Sequence, residues 1–314
     1  MKKQRKVVSF VSKIDFSKSA NIVVISQKNL GDALSHWLYS SLSGKRLRRV
    51  RRKFDGIAFL TAGSVLRLCR RNHVIMGSGF ISKDDDLGKT DWDGPFNSET
   101  FQRPIHILSV RGPKTARKLE RMGIPAPNHF GDPLLVAPLV YNPKVKKKYQ
   151  VGFVPHVVDQ KNEEFLALKN RISENRRTRF IDIFSGRTPR RFIRQLKSCE
   201  TIVSSSLHGV IFGLAYGCKT IYRPFSDDVI GDGFKFADFF ESAGIEYEIP
   251  DLDQPDFIEQ SIQYDPANLI QLGNDIVNVC PFIADDRKLE LNEHWRNLIN
   301  SYKTAALPSN SDPS

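Results

Sequence analysis

The run Ser204-Ser205-Ser206-Leu207-His208-Gly209 has the make-up of an anion site. Small hydroxyl residues close a predicted strand over Thr201–Ser204, and an apolar stretch over Leu207–Tyr216 reads as the next helix. Backbone N–H groups and the helix dipole converge at such a junction and attract negative charge. His208 falls in the first turn, where an imidazole near neutral pH can hold or give a proton. Ser205, Ser206, Leu207 and Gly209 would line the bound group. A histidine on an apolar helix is usually structural, but this one sits where a strand meets a helix, which favours chemistry.

Three earlier segments share that placement. Asn29-Leu30-Gly31-Asp32 follows the first predicted strand; its glycine lets backbone approach a ligand, and Asp32 is either an N-cap or a general base. Gly77-Ser78-Gly79 follows another strand and reads as a tight turn or a ligand contact. In Ser109-Val110-Arg111-Gly112-Pro113 a strand ends in arginine and proline opens a helix, so Arg111 is expected to project into a cleft and grip carboxylate or phosphate. A surface salt bridge is its plainer reading. His156, Arg187 and Lys235 would add positive groups to the same side, although each would also suit an ordinary surface.

Short apolar runs alternate with amphipathic stretches, the pattern of βαβ units and parallel sheets. Strands are expected at Asn21–Ser26, Asp55–Phe59, His73–Met76 and Ile105–Val110, with helices at Asp32–Ser43, Ser64–Arg71 and Pro113–Met122. A charged stretch, Asn142–Tyr149, reads as a linker. A second series follows: strands at Gln150–Pro155, Phe180–Ile183, Thr201–Ser204 and Lys219–Tyr222, with helices between them. The fold class is therefore α/β and GT-B-like, two Rossmann-like βαβ domains facing across a cleft. Ligands bind such sheets beyond the carboxyl ends of the strands. The domains are residues 1–145, 146–264 and a helical tail over 265–314.

The 314 residues carry a formal net charge of +12, which implies an anionic partner. Residues 45–53 hold seven cations in nine positions without an interleaved aromatic, which argues against nucleic acid. A solvated face and contact with anionic lipid both fit this run. The four cysteines lack ligand spacing, so no metal is expected. No stretch is apolar enough to span a bilayer, and the basic N-terminus lacks a secretory apolar run. The reading is a cytoplasmic protein, with the inner membrane face as a peripheral site.

In order, Asn29-Leu30-Gly31-Asp32, Gly77-Ser78-Gly79, Val110-Arg111-Gly112-Pro113, Gly131-Asp132-Pro133, Phe153-Val154-Pro155-His156, Ser204–Gly209 and Phe234-Lys235-Phe236-Ala237-Asp238-Phe239-Phe240 resemble the polysaccharide pyruvyl transferase family, over residues 20–242. The resemblance implies transfer of pyruvate from phosphoenolpyruvate to two hydroxyls of a sugar, giving a ketal and phosphate without a metal or other cofactor. It implies a donor site lined by Arg111, Leu207 and His208; Ser206 stands where some members have arginine. Acceptors of the similar bacterial exopolysaccharide enzymes are typically lipid-linked oligosaccharides. Two rival readings remain from the residues: a nucleotide-sugar glycosyltransferase of this fold class, and a non-catalytic protein that binds polyanions or membranes.

Overall fold

The computed structural model describes residues 20–25, 30–83, 101–183 and 189–306, with backbone alone at 30–33 and 303–306. Two parallel sheets organise the chain. The first holds β1 (Asn21–Val23), β2 (Arg48–Val50), β3 (Ala58–Leu60), β4 (His73–Met76) and β5 (His106–Ser109) in the order β2-β1-β3-β4-β5. The second holds β6 (Tyr149–Val154), β7 (Thr178–Phe180), β8 (Cys199–Ser204) and β9 (Lys219–Tyr222) in the order β7-β6-β8-β9. Helices α1 (Leu30–Ser43), α2 (Pro113–Arg121), α3 (Glu163–Asn175), α4 (Pro189–Lys197), α5 (Leu207–Ala215) and α6 (Phe234–Ala243) alternate with the strands or follow them. This is the expected α/β, GT-B-like class. All four residues of β4 are buried, as in a parallel strand covered on both faces.

Several expected elements differ. The Ser64–Arg71 helix is only a 3₁₀ turn at Leu66–Leu68, because Leu66 N–H donates to Gly79 O instead of extending a helix. The strands expected at Asp55–Phe59 and Phe180–Ile183 lie instead at Ala58–Leu60 and Thr178–Phe180. The basic run 45–53 contains β2, an edge strand paired with β1 through Ile22↔Arg49. Its Leu47 and Val50 are buried, and its exposed arginines protect an open sheet edge from pairing with another chain.

The tail consists of α7 (Pro266–Asn278) and α8 (Asp285–Ala306), and it folds back on the first sheet. The Phe282 ring meets Tyr39 and Phe59 edge-on at 5.5 and 5.2 Å. Gly273 lets α7 approach α8, since a Cβ there would lie 1.9 Å from the Trp295 indole nitrogen. One hydrophobic cluster therefore runs from Ala20 through the second sheet to Ile299.

A buried carboxylate joins the two halves. Asp238 on α6 accepts from Arg111 Nε at 3.0 Å, from Thr115 N–H at 2.9 Å and from the Thr115 hydroxyl at 2.7 Å. It thus caps α2 from the opposite half while neutralising Arg111, and both charged side chains are 0% exposed. Gly112 allows this approach: a Cβ there would fall 2.0 Å from Asp238 O. Outside it, Arg117 and Glu241 make an exposed two-pronged pair at 2.7 and 2.8 Å. Removing one member of a buried pair strands the other charge, so Asp238→Ala should lower unfolding free energy by about 3–5 kcal/mol. Arg117→Ala should lower it by less than about 1 kcal/mol. Urea unfolding of the two variants checks the contrast, and equal losses would refute it.

Candidate active site

The Ser204–Gly209 junction is built by a tight strand–turn–helix. Ser204 Oγ donates to Val154 O at 2.7 Å and accepts from Ser206 N–H at 3.0 Å, tying the end of β8 to β6. Gly209 is needed for this closeness, since a Cβ would lie 2.2 Å from Ser204 Oγ. Ser206 is the N-cap of α5 without a side-chain cap bond. Leu207 turns into the core, and His208, 8% exposed, stays at the junction.

His208 Nε2 faces Asp132 Oδ2 at 3.6 Å, and neither atom has a hydrogen-bond partner among the described residues. Asp132 is fully buried and holds its other oxygen on Leu134 N–H at 3.0 Å. A proton on Nε2 would bridge the gap and leave Nδ1 for a substrate. The Tyr39 hydroxyl is another buried atom without a hydrogen-bond partner among the described residues, and its pKa is raised by burial first, then by the charges of Cys280 and Asp132. Unpaired buried polar atoms are costly and rare, which marks this junction as a place built for a ligand or reaction.

One expected positive group, Lys235, stands beside it, whereas His156, expected to add another, is neutral. Lys235 is 7% exposed, and burial, then Arg111, pushes its pKa down to about 8 against the pull of Asp159. Its Nζ lies 5.5 Å over the Phe236 ring and has no hydrogen-bond or ion-pair partner among the described residues. His156 is pushed down to about 4 by burial, then by Lys235 and His208, so it is neutral near pH 7. Its N–H donates to Ser205 Oγ at 2.9 Å, and Ser205 in turn donates to buried Asp159, which also accepts from Ser226 at 2.5 Å. The serines therefore position the loop carrying His156, with Ser205 spending its hydroxyl on protein.

Three expectations need correction. Arg111 does not project into a cleft: it is fully buried, and its donors go to Asp238, Ser64 Oγ (2.6 Å) and Phe80 O (2.6 Å). Gly77, Ser78 and Gly79 face protein. A Cβ on Gly77 (φ +89°) would strike Pro133 at 2.4 Å, and one on Gly79 would strike the Arg111 guanidinium at 2.5 Å. Ser78 Oγ donates to Gly63 O at 3.0 Å. Gly31 and Asp32 occupy the first turn of α1, so the helix starts before Asp32 instead of being capped by it. Asn29 and Arg187 lie outside the described residues.

Sequence reasoning missed Asp132 and Asp159 as members of the site. Asp132 stands in a Gly-Asp-Pro turn like the other strand-end turns singled out, and Asp159 lies three residues past His156. Among the described residues no group of three or more His, Cys, Asp or Glu is placed to hold a metal ion.

Residues 39–224 match the family model described as polysaccharide pyruvyl transferase, more than half of the chain. This chain belongs to that family. The matched span contains Arg111, Asp132, His156 and His208 and stops before Lys235 and Asp238. The chain is 27% identical over 226 residues to the succinoglycan biosynthesis protein ExoV of Rhizobium meliloti (strain 1021), covering 70% of this chain and 63% of that protein. It is also 27% identical over 192 residues to the uncharacterized protein L143 of Acanthamoeba polyphaga mimivirus, covering 60% and 61% of the two chains. The alignments thus span under two thirds of either relative. A crystal structure of the uncharacterized protein KP1_0663 from Klebsiella pneumoniae aligns with a TM-score of 0.43 at 13% identity, over 76% of this chain and 92% of that one.

The Lys235 shift sets a sign for pH dependence. Its folded pKa lies below the unfolded value, so between about 8 and 10.5 the unfolded chain keeps a proton the folded chain has lost. This group's penalty is present in full below about pH 8 and fades as pH rises to 10.5. Stability of Lys235→Met relative to the parent should be highest below pH 8 and shrink toward pH 10.5. Urea unfolding across that range tests it; a pH-independent difference would contradict the burial effect.

Proposed function

We propose that the chain transfers pyruvate from phosphoenolpyruvate to two hydroxyls of a sugar on a lipid-linked exopolysaccharide precursor. The observation that carries this reading is the buried His208–Asp132 pair, unpartnered and inside the family-matched span. In this scheme Lys235 and the α5 N–H groups hold the donor's phosphate and carboxylate. His208 gives a proton to C3 of the enol, with Asp132 facing its ring and orienting it. One sugar hydroxyl bonds to C2 and loses its proton to Asp32, our choice of base. The C2–O bond to phosphate then breaks, phosphate leaves with a proton, and the second hydroxyl closes the ketal as it loses its own.

Arg111 acts at one remove, through Asp238 and Gly79. That role supports a positioning residue where a donor clamp was expected. Among the described residues no helix is long and apolar enough to cross a membrane. We place the chain in the cytoplasm, peripheral to the inner face, through exposed Arg46, Arg48, Arg49, Arg51 and Lys53. Arg52 is excluded from that surface role because its Nε donates to Leu68 O at 2.9 Å.

The decisive assay is phosphate release from phosphoenolpyruvate against a panel of lipid-linked and free oligosaccharides. Release that requires an acceptor supports the reading; UDP release from a UDP-sugar would support the glycosyltransferase instead, and neither release would leave a binding protein. His208→Ala should cut turnover by about 10²–10⁴-fold in a folded chain. Asp132→Asn should lower kcat and move the pH profile while changing KM for the donor little. Near-normal turnover in folded His208→Ala overturns the assignment.

The basic edge gives a separate test. Co-sedimentation with anionic vesicles should fall steeply with salt and weaken in an Arg48→Gln/Arg49→Gln/Arg51→Gln chain. No binding to such vesicles at low salt would reduce β2 to a charged sheet edge.

A further inference from the structure

A second concentration of positive charge lies apart from the His208 site and shares no residue with it. Lys148, Arg179, Arg190, Arg191 and Arg194 line a cleft of about 670 Å³, with Val145, Gln195 and Ser198 completing its wall. No acidic side chain lines it, and none of the five cations has an ion-pair partner among the described residues. The arrangement is internally repulsive. Arg190 and Arg191 stand in the first turn of α4, where the helix dipole is already positive. Arg190 and Arg194 are like charges one helical turn apart.

Three of the five side chains are nevertheless held in place. The Arg190 guanidinium lies 5.4 Å over the Tyr141 ring, and Arg179 lies 5.0 Å over Tyr149. Arg194 Nη1 donates to the Tyr141 hydroxyl at 3.3 Å. Stacking orients a guanidinium while leaving edge N–H groups for an oxygen ligand. The cleft is shallow and open, but a solvated charged face needs no aromatic supports, and a single carboxylate would leave most of this charge unanswered.

We infer that this cleft binds a compact ligand with at least two phosphate groups, a diphosphate being the smallest that answers several of the cations. The inference rests on the cleft's own charge and does not depend on the pyruvyl-transfer reading. The same group could arrive free in solution or as the head of a lipid, so the test separates the two sources.

Calorimetric titration of the full chain with inorganic pyrophosphate comes first, repeated on Lys235→Ala so that binding at the His208 site is counted separately. Binding that survives Lys235→Ala, weakens with salt and exceeds that of orthophosphate is expected. Arg179→Ala/Arg190→Ala should weaken it at least about tenfold, as loss of charge-assisted bonds requires, with circular dichroism unchanged. If that variant misfolds, Arg191→Gln/Arg194→Gln is read in the same way. Absence of such binding, equal affinity for orthophosphate, or no effect of substitution in a folded chain would overturn the site. Vesicles with a diphosphate-headed isoprenoid lipid are then compared with phosphatidylglycerol vesicles, both on the Arg48→Gln/Arg49→Gln/Arg51→Gln chain so that the basic β2 edge does not contribute. Capture of the former alone, reversed by pyrophosphate, assigns the lipid-borne group, and capture of neither beside tight pyrophosphate binding assigns the free one. Equal capture of both, lost in Arg179→Ala/Arg190→Ala but unmoved by pyrophosphate, would overturn a diphosphate site in favour of general membrane attraction.

Discussion

The Asp238 carboxylate holds the two halves of the molecule in register, and the rest of the site hangs from it. One of its oxygens receives both Arg111 and the Thr115 hydroxyl, and the other receives the Thr115 amide. With Arg111 fixed, the guanidinium lies against Gly79 with no room for a Cβ between them. Two residues earlier Gly77 lies against Pro133 in the same way, and Pro133 follows Asp132. A chain of close contacts thus leads from α6 to the oxygen that faces His208. Lys235 is on α6 itself, less than one turn before Asp238. The acid–imidazole pair and the lysine are therefore placed by one buried ion pair.

Charge in this interior is handled in two ways. Arg111 and Asp159 are buried with a full set of protein partners, Asp238, Ser64 and Phe80 for one, Ser205 and Ser226 for the other. Lys235 Nζ, His208 Nε2 and Asp132 Oδ2 are buried without a hydrogen bond among the described residues. Low dielectric makes the first group rigid and the second reactive. Rigid charges surround reactive ones, so the frame can keep its geometry while a proton moves at the centre.

Much of this was legible in the chain. β4 and β9 lie where apolar runs of strand length place them, and the Ser204–Gly209 turn leads from β8 into α5 as its residue types demand. Local composition carries such information because a strand or a helix start is a local event. Arg111 shows where that ends. Its position after a strand was readable, but its partner lies far along the chain in an aromatic-rich helix, and nothing near Arg111 announces it. β2 was hidden for another reason: its exposed side chains are arginines, and only Leu47 and Val50 record that the backbone pairs with β1. Asp132 reads as one more turn carboxylate until the second half brings His208 against it.

The returning tail has a consequence for how the molecule is made. Phe282 covers Tyr39 and Phe59, and Ile276 packs on Gly131, so the first sheet lacks part of its cover until α7 and α8 exist. Synthesis delivers those helices only after both sheets. The first sheet therefore leaves the ribosome as an unfinished layer with aromatic rings open to water, and it must wait for α7 and α8 before its interior closes. Loop closure over that span is slow relative to local helix formation. Arrival of α7 and α8, more than any local event, ends that exposure.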